Sequence, residues 1–187
     1  MSPILWVIIA VVVVAVVIGL WMLVTYNGFV RLRNLAQEAW SGVDVQLKRR
    51  WDLVPNLVET VKGYAAHEKQ IFEDVARLRS ESLAASTPGA KAAVENALTQ
   101  SLRSVFAVAE AYPELRASEN FQDLQRNLSE LEEQIQMARR YYNGSVRDYN
   151  ILVDSFPSLL VARAFAYGKM DFFELDEAER AVPKAAF

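Results

Sequence analysis

The chain has 187 residues, with 20 basic and 23 acidic side chains, a net charge of −3 and no cysteine. That balance shows no basic stripe of the kind a nucleic-acid footprint needs, and the lack of cysteine agrees with a reducing compartment. Only seven glycines and six prolines punctuate stretches rich in Ala, Leu, Val, Glu, Gln and Arg, which is helical composition.

Residues 4–24 hold no charged side chain. A run of 18 or more apolar residues is long enough to cross the roughly 30 Å hydrocarbon core as a helix. A cleaved signal peptide would have a basic start, a shorter apolar core and a small-x-small exit. Here Met1, Ser2 and Pro3 precede the run and Thr25-Tyr26-Asn27-Gly28 follows it. A core helix would carry a polar stripe. The pattern therefore predicts a transmembrane anchor over residues 1–26. Trp6 stands near one end, Trp21 and Tyr26 near the other, as interfacial aromatics do. Arg31 and Arg33 follow the run, then Lys48, Arg49 and Arg50. The positive-inside bias places the N-terminus outside and the rest in the cytoplasm. Ala15 and Gly19 form a small-xxx-small pair that permits close helix approach.

Helical spacing resumes at Val30 and runs through Leu32, Leu35, Ala36, Ala39, Val43, Leu47, Trp51 and Val54. Pro55 lacks an N–H, so this first helix is expected to kink or restart there. A second pattern follows through Leu57, Val61, Tyr64, Ala65, Glu68, Phe72, Val75 and Leu78. Ser86-Thr87-Pro88-Gly89 reads as a turn, with Thr87 placed to cap a third helix over about 89–112. Ser118 is positioned to cap the longest pattern, Phe121, Leu124, Leu128, Leu131, Ile135, Ala138 and Tyr142. Its alternating steps of three and four make a heptad seam. This fourth helix continues to Phe156-Pro157, and a short amphipathic segment spans Leu159 to Tyr167. The expectation is an all-α fold. One transmembrane helix leads into an antiparallel bundle of about four helices plus a short C-terminal helix over residues 27–168. A tail over 169–187 contains Pro183.

No nucleophile elbow, phosphate loop or His-Glu-x-x-His motif is present. His67 is the one histidine and has no second His or Cys to complete a metal site. No catalytic residue, metal or cofactor is expected. Two polar groups stand out. Asp44, Arg49, Asp52 and Asn56 lie on the first helix; Arg140, Asn143, Arg147 and Asn150 lie on the fourth. Carboxylates on one and guanidiniums on the other are complementary, so Asp44 and Asp52 are expected to accept from Arg140 or Arg147 if the helices touch. Such a network either fixes helix register or forms a partner face. Tyr141, Tyr142 and Tyr149 read as core or interface aromatics.

At these segments the chain resembles the LemA family of bacterial membrane-anchored proteins. The matching residues are Val43-Asp-Val-Gln-Leu-Lys-Arg-Arg-Trp-Asp-Leu-Val-Pro-Asn-Leu-Val58, Val61-Lys-Gly-Tyr-Ala-Ala-His-Glu68, and Glu119-Asn-Phe121 with Leu124-Gln125. Ala138-Arg-Arg-Tyr-Tyr-Asn143, Tyr149-Asn150, Phe156-Pro157 and Phe172-Phe173-Glu174 fit as well. The resemblance implies an anchor followed by a long-helix bundle in the bacterial inner membrane. It implies no enzymatic activity and supplies no catalytic residues.

The expected function is that of a non-enzymatic, single-pass protein that self-associates in the lipid bilayer and organises or remodels it. Its partners would be the bilayer and further copies of itself as a homo-oligomer. One alternative is a tethered adaptor that docks another membrane or cytoplasmic protein through the Arg/Asn/Tyr face of the fourth helix. Another is a small-ligand sensor using that face.

Overall fold

The structure is a computed structural model and describes residues 2–174; the part of the expected tail from 175 onward, Pro183 included, lies outside the described residues. Among the described residues there are six helices and no strand: α1 (Pro3–Lys62), α2 (Lys69–Ala84), α3 (Pro88–Glu110), α4 (Pro113–Ala117), α5 (Glu119–Asp154) and α6 (Ser158–Ala164). The protein is all-α, with one long apolar N-terminal helix and helical-bundle packing. The described residues fall into two compact units. One draws on residues 2–39 and 144–170, the other on residues 40–143 and 171–174.

The apolar N-terminal run does not stop before the first bundle helix. Both belong to the 60 residues of α1. Asn27 and Gly28 lie inside it, although glycine in a helix interior costs about 1 kcal/mol relative to alanine. Gly28 faces a close neighbour: a Cβ there would stand 3.7 Å from Leu152 Cδ2.

Pro55 does not end or restart the helix either. It sits inside α1, which runs on to Lys62. The missing N–H of Pro55 deprives the carbonyl four residues back, that of Trp51, of its helical donor. Arg79 on α2 supplies the replacement: its Nε–H donates to Trp51 O at 2.8 Å. A tertiary bond thus repairs the local defect. The actual break comes at 63–68, where Tyr64 N–H closes onto Val61 O at 3.0 Å and the chain turns before α2. Tyr64, Ala65 and Glu68, expected in a second helix, belong to this turn.

Thr87 caps α3 as the sequence predicts: its Oγ1 accepts from Ala90 N–H at 3.2 Å, with Pro88 in the first turn. α4 was not foreseen; five residues are too few for a periodic signal, yet its Leu115 is fully buried. In the second unit, Val43, Leu47, Val54, Leu57 and Val61 of α1 share the core with Phe72 and Val75 of α2. Leu98, Leu102 and Val105 of α3 join them. From the heptad seam of α5, Phe121, Leu128, Leu131, Ile135 and Tyr142 are buried, and Leu124 and Ala138 partly so.

In the first unit, Phe29, Tyr149, Val153, Val161 and Ala162 form a small core, with Trp21, Leu32, Leu152, Tyr167 and Met170 packed around it. Phe29 stacks on Tyr167 at 4.7 Å between ring centroids and meets the edge of Tyr149 at 6.0 Å. α6 closes with Ala166 at φ 55° and Tyr167 N–H on Ala162 O at 2.9 Å, a left-handed turn that swings Tyr167 back onto this core.

Replacing Arg79 by alanine leaves the buried Trp51 carbonyl without a donor and should cost about 1–3 kcal/mol. In that background Pro55→Ala restores a helical donor, so the double variant should regain most of the loss. Urea unfolding of the four chains in detergent, followed by helical circular dichroism, reads this cycle. Independent, additive losses would refute the repair.

Candidate functional site

The densest polar arrangement lies in the second unit and centres on Arg50, a side chain only 2% exposed. Its position follows from helix geometry. Val43, Leu47, Arg50, Val54, Leu57 and Val61 step along α1 by three and four, so Arg50 occupies a core position in an apolar stripe. Glu95 takes the equivalent place on α3, among Ala92, Leu98 and Leu102. Ser82 does so on α2, following Val75 and Leu78.

These three side chains meet. The Arg50 Nη2 group bonds Glu95 Oε2, while Nη1 donates to Glu132 Oε2 of α5 at 2.8 Å and to Thr99 Oγ1 at 2.9 Å. The other Glu95 oxygen accepts from Trp51 Nε1 at 2.7 Å and from the Ser82 hydroxyl. Thr99 passes its own proton to Glu95 O at 3.0 Å. One guanidinium thereby ties together α1, α3 and α5, and its carboxylate partner adds α2. Burial lowers the pKa of Arg50, and the Glu132 charge and hydrogen bond work against that fall. Its Nε is the one buried side-chain atom among the described residues without an acceptor.

A second cation sits nearby. Lys91 Nζ donates to Asp44 Oδ1 at 2.7 Å and lies over two indole rings, 5.0 Å from the Trp51 centroid and 5.7 Å from that of Trp40. Cation–π contacts suit a partly desolvated ammonium. Trp40 also packs against Tyr142 at 5.1 Å and Phe173 at 5.6 Å.

The chain after α6 is held by side-chain amides of α5. In the second unit the Asn143 amide closes on both backbone groups of Phe173, donating to its O at 3.0 Å and accepting from its N–H at 2.9 Å. Tyr142 OH donates to Asp171 O at 2.8 Å. Burial and then the Asp171 charge push the Tyr142 phenol up to about 12. In the first unit Asn150 does the same for Met170, at 2.9 Å in both directions.

The residues singled out by sequence are therefore divided. Asp44 is taken by Lys91 of α3 in place of a fourth-helix guanidinium. Arg147 pairs with its neighbour Asp148 at 3.2 Å, and Arg140 is exposed. Asn143 and Asn150 are spent on the chain's own backbone. Arg49 reaches Gln46 and Gln134 at 3.4 and 3.5 Å on the surface and shares a shallow groove with Asp52. The Asn56 carbonyl receives Thr60 Oγ1 at 2.8 Å. Trp6, Tyr26, Arg31 and Arg33 are exposed, and Trp21 is half-buried. Ala15 is exposed, and Gly19 has open space around it. His67 lies exposed in the turn before α2.

Sequence reasoning missed Arg50, Glu95, Ser82 and Lys91. The available signal was the stripe itself: a charged residue that keeps apolar register is buried and must have a partner.

A cavity of about 330 Å³ lies beside the node, lined by Arg50, Thr99, Leu102, Phe106, Leu128 and Glu132, among others. Within its lining, Arg50 Nη1 is bonded to Thr99 and Glu132. Among the described residues no cluster of three or more His, Cys, Asp or Glu could hold a metal. The arrangement can fix four helices in register.

The LemA family model matches residues 39–187, a span that contains the whole node. The chain belongs to the LemA family. Its curated relatives include the magnetosome protein MamQ of Magnetospirillum gryphiswaldense, 25% identical over 81% of this chain and 65% of the relative. Magnetosome proteins MamQ 1 and MamQ 2 of Paramagnetospirillum magneticum are each 26% identical over 82% of this chain and 66% of theirs. The chain thus spans about two thirds of the length of these relatives. Family membership and an N-terminal helix that is apolar and wholly unburied over its span make this a membrane-associated protein.

Cutting Glu95 back to alanine strands the buried Arg50 and should cost about 3–5 kcal/mol. Glu132 is 35% exposed, so water can replace it; Glu132→Ala should cost about 1 kcal/mol. Urea midpoints read from tryptophan fluorescence separate the two, and equal losses would contradict the node as described.

Proposed function

We propose that this LemA-family chain is a non-enzymatic, single-pass membrane protein whose self-association organises or remodels the bilayer. One observation carries the reading: the apolar span and the first helix of the bundle are a single helix, Pro3–Lys62, with no linker between them. A flexible leash would let an anchored domain work independently of the membrane. A continuous helix leaves no flexible leash between the span and the bundle. Supporting this, Ala15 and Gly19 leave an uncovered small-residue face on the span, which permits close approach of a second copy. Glu95, Glu132 and Asp44 are each bonded to a side chain of another helix, which suits a scaffold. The MamQ relatives are magnetosome proteins by name. Arg31 and Arg33 just beyond the span favour the bundle on the cytoplasmic face of the inner membrane.

A second reading, a membrane-tethered adaptor, is favoured by Met137 and Tyr141. They are exposed neighbours at i, i+4 on α5 beside Arg140.

Light scattering of the purified protein in mild detergent should give a mass that is a multiple of 21.1 kDa after subtraction of detergent. Gly19→Ile should shift that mass toward the monomer without changing helical content. In vesicles, the native chain should alter membrane shape and Gly19→Ile should do so less. A monomer at all concentrations, with vesicles unchanged, refutes self-association.

A further inference from the structure

The first unit carries large apolar side chains that its own core does not use. On α6, Ser158, Val161 and Ala162 point inward and are buried. The opposite side holds Leu160, 53% exposed, and Arg163, also exposed. Phe156, 80% exposed, precedes the helix, and Phe165, 50% exposed, follows it. Three large apolar groups in ten residues, all turned outward, need an occupant opposite them.

Their position along α1 says which. Trp21 belongs to the last turn of the apolar run and packs against the cluster that contains Val161 and Ala162 of α6. Tyr26, a few residues further, lies 4.9 Å from the Phe165 ring and 6.0 Å from that of Tyr167. α6 is therefore held level with the end of the membrane span, where the hydrocarbon core gives way to headgroups. Seven residues of helix reach only about 10 Å, too short to cross and suited to lie in the interface. Aromatic side chains with arginine beside them are the composition of that zone. The surface is also continuous with the exposed face of the span itself, whose residues from Ile4 to Val24 meet lipid if the span is inserted.

We propose that the corner from Phe156 to Phe165 is a second, interfacial membrane contact, dipping Phe156, Leu160 and Phe165 into the headgroup region of the leaflet that the span leaves. It rests on the span being inserted. α1 would then meet the bilayer with a side support: the span fixes depth, and the corner restrains tilt and rotation.

The absence of native cysteine makes the test direct. Single cysteines are placed at Phe156, Leu160, Phe165, Val13 and Asp123, one per chain, and spin-labelled. Each full-length chain is reconstituted into phosphatidylcholine–phosphatidylglycerol vesicles. Paramagnetic relaxation by oxygen and by a water-soluble nickel chelate reports depth, with unchanged circular dichroism confirming the fold. The label at Val13 should see oxygen and little nickel; that at Asp123 should see nickel freely. Labels at Phe156, Leu160 and Phe165 should fall between them, with nickel collisions several-fold below those at Asp123 and oxygen collisions above. Nickel access equal to that of Asp123, while Val13 remains buried in lipid, overturns the contact but leaves the span intact. Loss of both oxygen and nickel access would mean a protein partner such as a second copy, and also overturns it. Free nickel access at Val13 instead sinks the membrane reading on which the proposal rests.

Discussion

The rest of the molecule depends on the continuity of α1. Sixty residues form one helix, although Gly19, Gly28, Gly42 and Pro55 within it individually disfavour helix. Two of these weaknesses, at Gly28 and Pro55, meet another element. Gly28 packs within reach of Leu152 on α5, in a unit whose core is built on Phe29. Pro55 leaves the Trp51 carbonyl unpaired, and Arg79 of α2 occupies it. At Gly28 and at Pro55 another element of the same unit docks, whereas Gly19 and Gly42 have no such neighbour within 4 Å. Tertiary structure and helix continuity therefore support each other.

Charge plays an unusual part in the second unit. A buried ion pair is weak evidence for stability, because desolvation consumes most of the Coulomb gain. Its stronger effect is on alternatives. A bundle of apolar seams can slide by a turn at modest cost, whereas a slide here would bury Arg50 away from Glu95, Glu132 and Thr99 at once. Trp51 and Ser82 complete the coordination of Glu95, so all four long helices are registered against one carboxylate–guanidinium pair. Lys91 between two indoles, bonded to Asp44, adds a second lock of the same kind.

Much of this was legible in the sequence, and the failures have identifiable causes. The apolar run, the Thr87 cap and the seam from Phe121 to Tyr142 are local or periodic signals, and the structure follows them. The helix runs on past Pro55 with the support of Arg79, 24 residues away in sequence and invisible to any local rule. A continuing helix is expected at 63–68 because apolar periodicity persists through Tyr64 and Ala65; the chain turns there instead, where Gly63 weakens helix. The candidate polar residues were chosen where polar side chains share a face, which is how surfaces look. Arg50 and Glu95 sit in apolar register instead, where their charge is the anomaly that should have been followed. The use of Asn143 and Asn150 was hidden for another reason. Their partners, Phe173 and Met170, are backbone groups in a segment without regular structure.

Taken together, the parts describe a membrane-associated LemA-family protein in which a single helix, Pro3–Lys62, runs from the apolar span into the bundle. The proposed self-association and bilayer organisation rest on that continuity. Amide hydrogen exchange of the full chain in lipid nanodiscs tests the continuity most directly. The account predicts that Thr25 to Arg33 is protected like the helix on either side, with no fast-exchanging gap at Asn27-Gly28. Rapid exchange confined to those residues would show a hinge, and the span would then be only a tether.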